Sequence, residues 1–358
     1  MPSALLGLDA LTLEDGHLFH DRKGRPRELP PASAPLADTH GHLTSFTRHD
    51  PSVAICRAAL AGVRLLVVPV DPVDEAAYLS WIDEQVERAA ERLEECARHG
   101  LVPPEYAGYP DLPPLVERVR IVAGAHPYGA ARLDKAALAC LEELLASPRC
   151  VGVGEIGLDF GPYNELPADV QETAFRRQFA VAREHGLPVE LHIRDSQDPD
   201  DHSAHELAAR VLAEEGMPSA GCDLHCFTDG PEVMAPFVEL GCHIAFGGAS
   251  TFKRSDDIRE AAATCPEGLL LSETDCPYMA RACHGGLLGC LRGCGPRGRR
   301  RCHAGSDVRC ALGERLSAAW VDPARSALSP LGRLCRCALS PPPSPLLENL
   351  RVNSTFLC

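Results

Sequence analysis

The stretch Cys150–Asp159 has the sequence CVGVGEIGLD. Apolar residues occupy both alternating faces of this run, which is typical of a strand buried on both sides in a parallel sheet. One carboxylate, Glu155, interrupts the run, and a buried unpaired carboxylate is costly unless a cation or hydrogen bonds compensate it. The stretch therefore predicts a buried strand with a polar site near its end.

Similar apolar runs recur along the chain up to about residue 278 and predict seven further strands, at Leu36–Leu43, Gly62–Val70, Arg120–Tyr128, Pro188–Asp195, Gly221–Asp229, Gly241–Gly248 and Gly268–Tyr278. Stretches rich in Ala, Glu, Leu and Arg lie between them and predict helices at Asp74–His99, Leu133–Ala146, Val170–Gly186, His205–Glu215 and Asp256–Ala263. This alternation predicts an α/β fold of the (β/α)8 TIM-barrel type. A doubly wound open sheet is the competing architecture, but no GxGxxG loop follows the first strand.

The composition favours an ordinary globular protein. The 358 residues are long enough for one large domain, and a hydrophobic share of 45% can build a full core. No apolar run reaches about 18 residues, so we expect no membrane span. The N-terminal stretch has no basic segment before an apolar one, so we expect a cytoplasmic protein with no secretory signal.

Charge and cysteine divide the chain unevenly. The stretch 281–358 holds 12 Arg, no Lys and only 4 acids, whereas the stretch 1–280 holds 23 basic and 46 acidic side chains. We therefore predict an N-terminal extension at 1–35, a hydrolase barrel at 36–280 and an atypical basic tail, rich in Cys, Arg and Pro, at 281–358. A change of reading frame explains such a tail, and a genuine basic appendage is the alternative. Because the tail shows no eighth helix, we expect an incomplete barrel whose first and last strands face water.

Polar side chains stand late in five of the predicted strands, and the carboxyl ends of barrel strands form the active-site face. They are His40, His42, Glu155, His192, His225 and Asp275. Residues two apart in a strand point to the same side, so the two imidazoles of His40-Gly41-His42 can bind one ion. Each residue alone fits a core histidine or a turn aspartate, but together they predict a site for one or two divalent ions. Such mixed nitrogen and oxygen ligands suit Zn²⁺, Mn²⁺, Fe²⁺, Co²⁺ or Ni²⁺, and with more water Mg²⁺.

Five motifs in order, DTHGHL, GEIGLDF, LHIRDS, HCFTDG and SETDCPY, resemble the successive signatures of the TatD family of metal-dependent hydrolases and deoxyribonucleases. The resemblance runs from about Asp38 to Tyr278. It implies an amidohydrolase-like TIM barrel that uses one or two divalent ions, Mg, Mn or Zn, to hydrolyse ester bonds in DNA. It points to no membrane and no obligate protein partner.

The resemblance also implies roles for single residues. The metal ligands are His40, His42, Glu155, His192, His225 and Asp275. Glu155 lies between the two metal positions, and Asp275 also accepts a proton from the attacking water, so these two residues are catalytic. Glu273 supports the site from behind the ligands.

Two further residues are candidate substrate contacts. Arg194 shares the strand face of His192, so it can clamp a phosphate, or it can form an ion pair with a neighbour such as Asp195 or Glu190. His126 lies in AGAHPY at the end of the third strand, where it can contact substrate or hold structure.

The sequence thus predicts a phosphodiester hydrolase with a metal-activated water. Three alternatives stay open. The acidic stretch 1–280 repels polyanions, which favours an amidohydrolase acting on a small amide or ester. The altered tail could leave the chain catalytically defective. The basic run Arg297–Arg301 could instead make the tail a nucleic-acid-binding module.

Overall fold

The computed structural model describes residues 19–20, 26–27, 32, 34–46, 50–75 and 78–279. All of 281–358 and most of 1–35 lie outside this part, and with them the predicted tail and extension. The described residues form a short antiparallel pair, Phe19–His20 with Pro26–Arg27, and one parallel sheet. Its strands are β1 (Leu36–Asp38), β2 (Val63–Val70), β3 (Val119–Ala123), β4 (Cys150–Asp159), β5 (Val189–Arg194), β6 (Cys222–Leu224), β7 (His243–Phe246) and β8 (Leu270–Ser272).

Each strand from β1 to β7 pairs in parallel with the strand that follows it along the chain. Backbone hydrogen bonds join β1 to β8: the Thr39 amide donates to the Ser272 carbonyl at 3.1 Å, and the His42 amide donates to the Cys276 carbonyl at 2.8 Å. The sheet is therefore a nearly closed barrel, which confirms the (β/α)8 prediction. Leu36 and Leu270 are only 4% and 3% exposed, so the expectation that this seam faces water is wrong at both positions.

The described helices follow the strands in strict alternation. They are α1 (Pro51–Leu60), α2 (Tyr78–Arg98), α3 (Lys135–Leu145), α4 (Ala168–His185), α5 (Ser203–Glu215), α6 (Pro231–Glu239) and α7 (Asp256–Thr264). The five predicted helices correspond to α2, α3, α4, α5 and α7. No described helix is long and apolar enough to cross a membrane.

Several strands end earlier than their apolar runs. β1 ends at Asp38, β6 at Leu224 and β8 at Ser272, so the polar residues that follow them lie in short loops at the carboxyl end of the barrel. Asp275 has a positive φ of 51°, a conformation that an extended strand does not adopt. His40 and His42 thus lie in a loop and not in the predicted strand, and Gly41 forms a bridge to Cys276 across the seam.

Candidate metal centre

His40 and His42 form the first half of the site. Their Nε2 atoms lie 3.0 Å apart, and the fully buried His40 ring stacks on the His225 ring with centroids 3.9 Å apart. The Nδ1 of His40 lies 3.0 Å from Glu190 Oε1. A proton between those two atoms leaves Nε2 as the nitrogen whose lone pair faces the site.

Asp275 joins this pair through the barrel seam. Its Oδ1 lies 3.3 Å from His42 Nε2 and 4.0 Å from His40 Nε2, and its backbone amide donates to the His40 carbonyl at 2.9 Å. Burial would raise the pKa of Asp275, but the hydrogen bond from His42 and the nearby His40 lower it below its ordinary value. The contacts that close the barrel therefore also hold an ionised carboxylate against the two histidines.

Glu155 spans both halves of the site. Its Oε2 lies 3.8 Å from His40 Nε2 and 3.9 Å from His42 Nε2, and its Oε1 lies 2.6 Å from His192 Nδ1 and 2.9 Å from His225 Nε2. Burial opposes ionisation, but His225, His40 and His126 hold the pKa of this carboxyl well below its usual range. One buried, charged carboxylate thus presents one oxygen to each histidine pair.

His192 is held on its far side by a second acid. Its Nε2 lies 3.2 Å from Asp159 Oδ2, and the fully buried Asp159 accepts a 2.7 Å hydrogen bond from the Gly161 amide through Oδ1. Burial lowers the pKa of His192, but the Asp159 and Glu155 carboxylates raise it to about 9. With Nε2 against Asp159, Nδ1 faces Glu155 and the Nε2 of His225, which is 3.2 Å away.

Glu273 lies behind His225. Its Oε1 accepts a 2.7 Å hydrogen bond from the Cys226 amide, and its Oε2 lies 3.9 Å from His225 Nδ1. Neither that oxygen nor that nitrogen has a hydrogen-bond partner among the described residues, although both are buried. The side chain is therefore adjacent to a candidate ligand, although no hydrogen bond joins it to His225.

His126 borders the second half of the site. Its Nε2 lies 3.8 Å from Glu155 Oε1, and its ring meets the His192 ring edge-on at 4.3 Å. It also has structural contacts, because its Nδ1 accepts a 3.2 Å hydrogen bond from the Tyr128 amide. Burial and the neighbouring His192 lower the pKa of His126 to about 3.

Arg194 is exposed at the rim, with its guanidinium 5.6 Å from the Tyr163 ring centroid. The proposed ion-pair partners are engaged elsewhere, because Asp195 hydrogen-bonds His205 and Glu190 lies against His40. Arg194 instead lies near Asp159, where its charge helps to lower the pKa of that carboxyl.

The fold thus gathers all six predicted ligands. Ligand atoms within 4.8 Å of one another form two groups that share Glu155, namely His40–His42–Glu155 and Glu155–His192–His225, and Asp275 adjoins the first. We call these six residues the histidine–carboxylate cluster. The sequence analysis did not predict two other residues that contact these ligands, Glu190 and Asp159. The sequence pattern could have identified them, because each is an acid within an apolar strand, as Glu155 is.

The donor atoms of the cluster suit divalent cations. Two pairs of imidazole nitrogens lie 3.0 and 3.2 Å apart, and each pair converges on an oxygen of one ionised carboxylate. Ligands of a tetrahedral ion with bonds of about 2.1 Å stand about 3.4 Å apart, close to these separations. The residues present therefore fit a metal site.

Comparison with known proteins agrees with this chemistry. The sequence model of a family described as TatD related DNase matches residues 37–291. The chain is 33% identical over 203 residues to the uncharacterized metal-dependent hydrolase YabD of Bacillus subtilis, covering 56% of this chain and 76% of that protein. It is 30% identical over 259 residues to the uncharacterized metal-dependent hydrolase TatD of Mycobacterium tuberculosis, covering 70% and 83%.

A third relative and one solved structure add to this. The chain is 36% identical over 158 residues to the 3'-5' ssDNA/RNA exonuclease TatD of Rahnella sp., covering 44% of this chain and 57% of that protein. The crystal structure of YJJV, a TatD homolog from Escherichia coli, superposes with a TM-score of 0.52 at 24% identity, covering 80% of this chain and 97% of that one. At this identity the structural likeness supports the barrel fold.

Proposed function

Because the chain belongs to the TatD-related DNase family, we propose that this metal-dependent hydrolase cleaves phosphodiester bonds in DNA at the histidine–carboxylate cluster. The single observation that carries the proposal is Glu155, whose two oxygens face two separate histidine pairs. A carboxylate in that position can bridge two ions, which is an arrangement typical of phosphodiester hydrolysis. The Rahnella relative, named as an exonuclease on single-stranded DNA and RNA, supports this substrate class.

Two divalent ions, Mg, Mn or Zn, are proposed to bind here. His40, His42, Asp275 and Glu155 Oε2 would hold the first, and His192, His225 and Glu155 Oε1 the second. When bound, such ions lower the pKa of water and stabilise negative charge on phosphoryl oxygens. Glu273 and Glu190 would orient His225 and His40 from behind.

Three side chains are proposed to act on the substrate and its water. Asp275 is ionised at neutral pH and would accept a proton from the attacking water. His126 is neutral, and its Nε2 carries the proton because Nδ1 accepts from the Tyr128 amide, so Nε2 can donate to a phosphate oxygen. Arg194 can pair with a phosphate at the rim.

A cleavage assay tests the proposal. Protein stripped of metal with a chelator is supplied with Mn²⁺, Mg²⁺ or Zn²⁺ and incubated with single-stranded DNA labelled at either end. The position of the label in the products also distinguishes endonuclease from exonuclease cleavage. We expect metal-dependent cleavage, which Glu155→Gln lowers by at least about 100-fold because a neutral amide cannot bridge two cations. The matched control is Glu184→Gln, an exposed position on α4. Lack of cleavage with every metal, or turnover of small amides or esters instead, would contradict the proposal.

A cytoplasmic location and the lack of an obligate protein partner stay predictions of the sequence.

A further inference from the structure

Exposed tyrosines surround the histidine–carboxylate cluster. Large apolar and aromatic side chains are mostly buried, yet Tyr128, Tyr163 and Tyr278 are 43%, 76% and 66% exposed. They follow β3, β4 and β8, so all three lie at the carboxyl end of the barrel, where the cluster is. The proposed chemistry of the cluster uses none of these three side chains.

Tyr278 lies on the side of the cluster formed by His40 and His42. Its ring centroid is 5.0 Å from that of His42, with the two planes nearly perpendicular at 82°. Its hydroxyl lies 2.9 Å from Ser45 Oγ, and its amide donates to the Asp275 carbonyl at 2.9 Å. The ring is thus held in place while two thirds of the residue stays open to solvent.

Tyr128 and Tyr163 lie on the opposite side. The Tyr128 ring meets the His126 ring edge-on at 4.4 Å, and the Asp159 carboxylate and the Arg194 cation lie near this tyrosine. Tyr163 packs on the guanidinium of Arg194 at 5.6 Å. The aromatic rings therefore flank Glu155 from both directions, with the Arg194 cation between two of them.

We propose that Tyr128, Tyr163 and Tyr278 are stacking platforms for unpaired nucleobases on either side of the scissile phosphodiester. This inference rests on the proposed function and deepens it. Tyrosine faces stack on any base, and bases in a duplex are already stacked on one another and unavailable.

The charge of the chain supports stacking as the source of affinity. The stretch 1–280 holds 46 acidic and 23 basic side chains, so long-range electrostatics repel a polyanion. Stacking does not depend on net charge, and its contribution adds to that of the local Arg194 and the metal site. A substrate without bases would have only those two attractions to offset the repulsion.

The test compares two single strands of the same backbone, one normal and one with abasic residues around the cleavage position. The measured quantity is the ratio of kcat/KM on the normal strand to kcat/KM on the abasic strand, with Mn²⁺ supplied. We expect Tyr278→Ala and Tyr163→Ala each to lower this ratio by about 5- to 100-fold. Tyr278→Trp should keep it, because the larger ring still stacks. Fluorescence anisotropy measures the affinity of the Glu155→Gln variant for each labelled strand, which gives the same comparison without turnover.

The matched control is Tyr109→Ala, since Tyr109 lies in the loop between α2 and β3, at the opposite end of the barrel. This variant should keep the wild-type ratio, and thermal melts establish that each variant is folded. Equal cleavage of both strands by the wild type, or an unchanged ratio in both alanine variants, overturns the stacking proposal and leaves the proposed hydrolase intact. Failure of the wild type to cleave either strand overturns the proposed function and this inference together.

Discussion

At the residue scale, two histidines of the cluster have acids on their far sides. Glu190 lies 3.0 Å from His40 Nδ1, and Asp159 lies 3.2 Å from His192 Nε2. In each case the other ring nitrogen faces the site. Such partners select the tautomer and raise the basicity of the nitrogen that is left to bind a metal.

Asp159→Asn tests this orientation. The side-chain amide accepts hydrogen bonds only through its oxygen, whereas the carboxylate accepts through both oxygens. The variant therefore loses the hydrogen bond with either His192 or the Gly161 amide. We expect metal affinity, measured by chelator competition, to fall about 10- to 100-fold. Asp111→Asn, in an exposed loop at the other end of the barrel, is the matched control. An unchanged affinity in Asp159→Asn would mean that this contact does not orient His192.

Asp71 gives a pH-dependent prediction. Burial raises its pKa to about 6, even though the amides of Val73 and His126 donate to it. The native state therefore binds more protons than the unfolded state between about pH 4 and pH 6, so the stability contributed by this residue falls as pH rises through that window.

The comparison with Asp71→Asn isolates this contribution, because groups distant from Asp71 titrate equally in both proteins. Relative to the variant, we expect the wild type to lose about 2 kcal/mol of unfolding free energy between about pH 4 and pH 7. Urea denaturation in the presence of a chelator measures it. A difference between the two proteins that stays constant with pH would refute the shifted pKa.

At the element scale, two described helices escaped prediction for different reasons. α1 is buried along most of its length, so PSVAICRAAL shows no amphipathic period. α6 contains an internal Pro236, which ordinarily argues against a helix. The other helices have one polar face, and their apolar spacing was sufficient to find them.

Asp50 anchors α1 to α2. Its Oδ1 accepts from the Ser52 amide at 3.0 Å and caps the start of α1, and its Oδ2 accepts from Arg88 and Arg92 of α2, each at 2.8 Å. We expect Asp50→Ala to lower the unfolding free energy by about 1–3 kcal/mol, because it removes the cap and both partly exposed ion pairs. Asp50→Ser keeps a capping oxygen and should lose less. Equal losses in urea titrations would mean that the cap contributes nothing.

At the scale of the whole molecule, the site assembles only when the barrel closes. Asp38 accepts hydrogen bonds from the Thr274 amide at 2.8 Å and from the Thr274 hydroxyl at 2.6 Å, which ties the start of the barrel to its end. The same seam brings His40 and His42 against Asp275. Closure of the barrel and formation of the first metal position are therefore one event.

A thermal melt of the full chain, stripped of metal and then resupplied, tests this coupling. A ligand at about 100 times its Kd adds about 2.7 kcal/mol, so Tm should rise by roughly 5–10 °C. The Glu155→Gln variant should show no such rise in Tm when metal is added.

The same melt tests the domain limits. We propose that residues 36–280 are the folding unit, with 1–35 and 281–358 as additions. Deleting 281–358 should then preserve the metal-dependent rise, because the cluster and the seam bonds all precede residue 280. No cooperative transition in the truncated chain would show that the tail is needed for folding.

The sequence alone was sufficient for the alternation of strands and helices and for the identity of the six candidate ligands. Both are local properties: burial on two faces selects the apolar runs, and a polar residue late in such a run is conspicuous because burying it is costly.

Which atoms of the site come into contact depends on the tertiary structure. The two Glu155 oxygens face different histidine pairs, and acids lie behind His40 and His192. Both arrangements depend on distances between separate strands. Closure of the barrel sets those distances by joining β1 to β8, the first and last strands of the sheet, where the Ser272 hydroxyl donates to the Ala37 carbonyl. No local sequence pattern predicts these distances, because the periodicity of one strand gives no information about its register with the neighbouring strand.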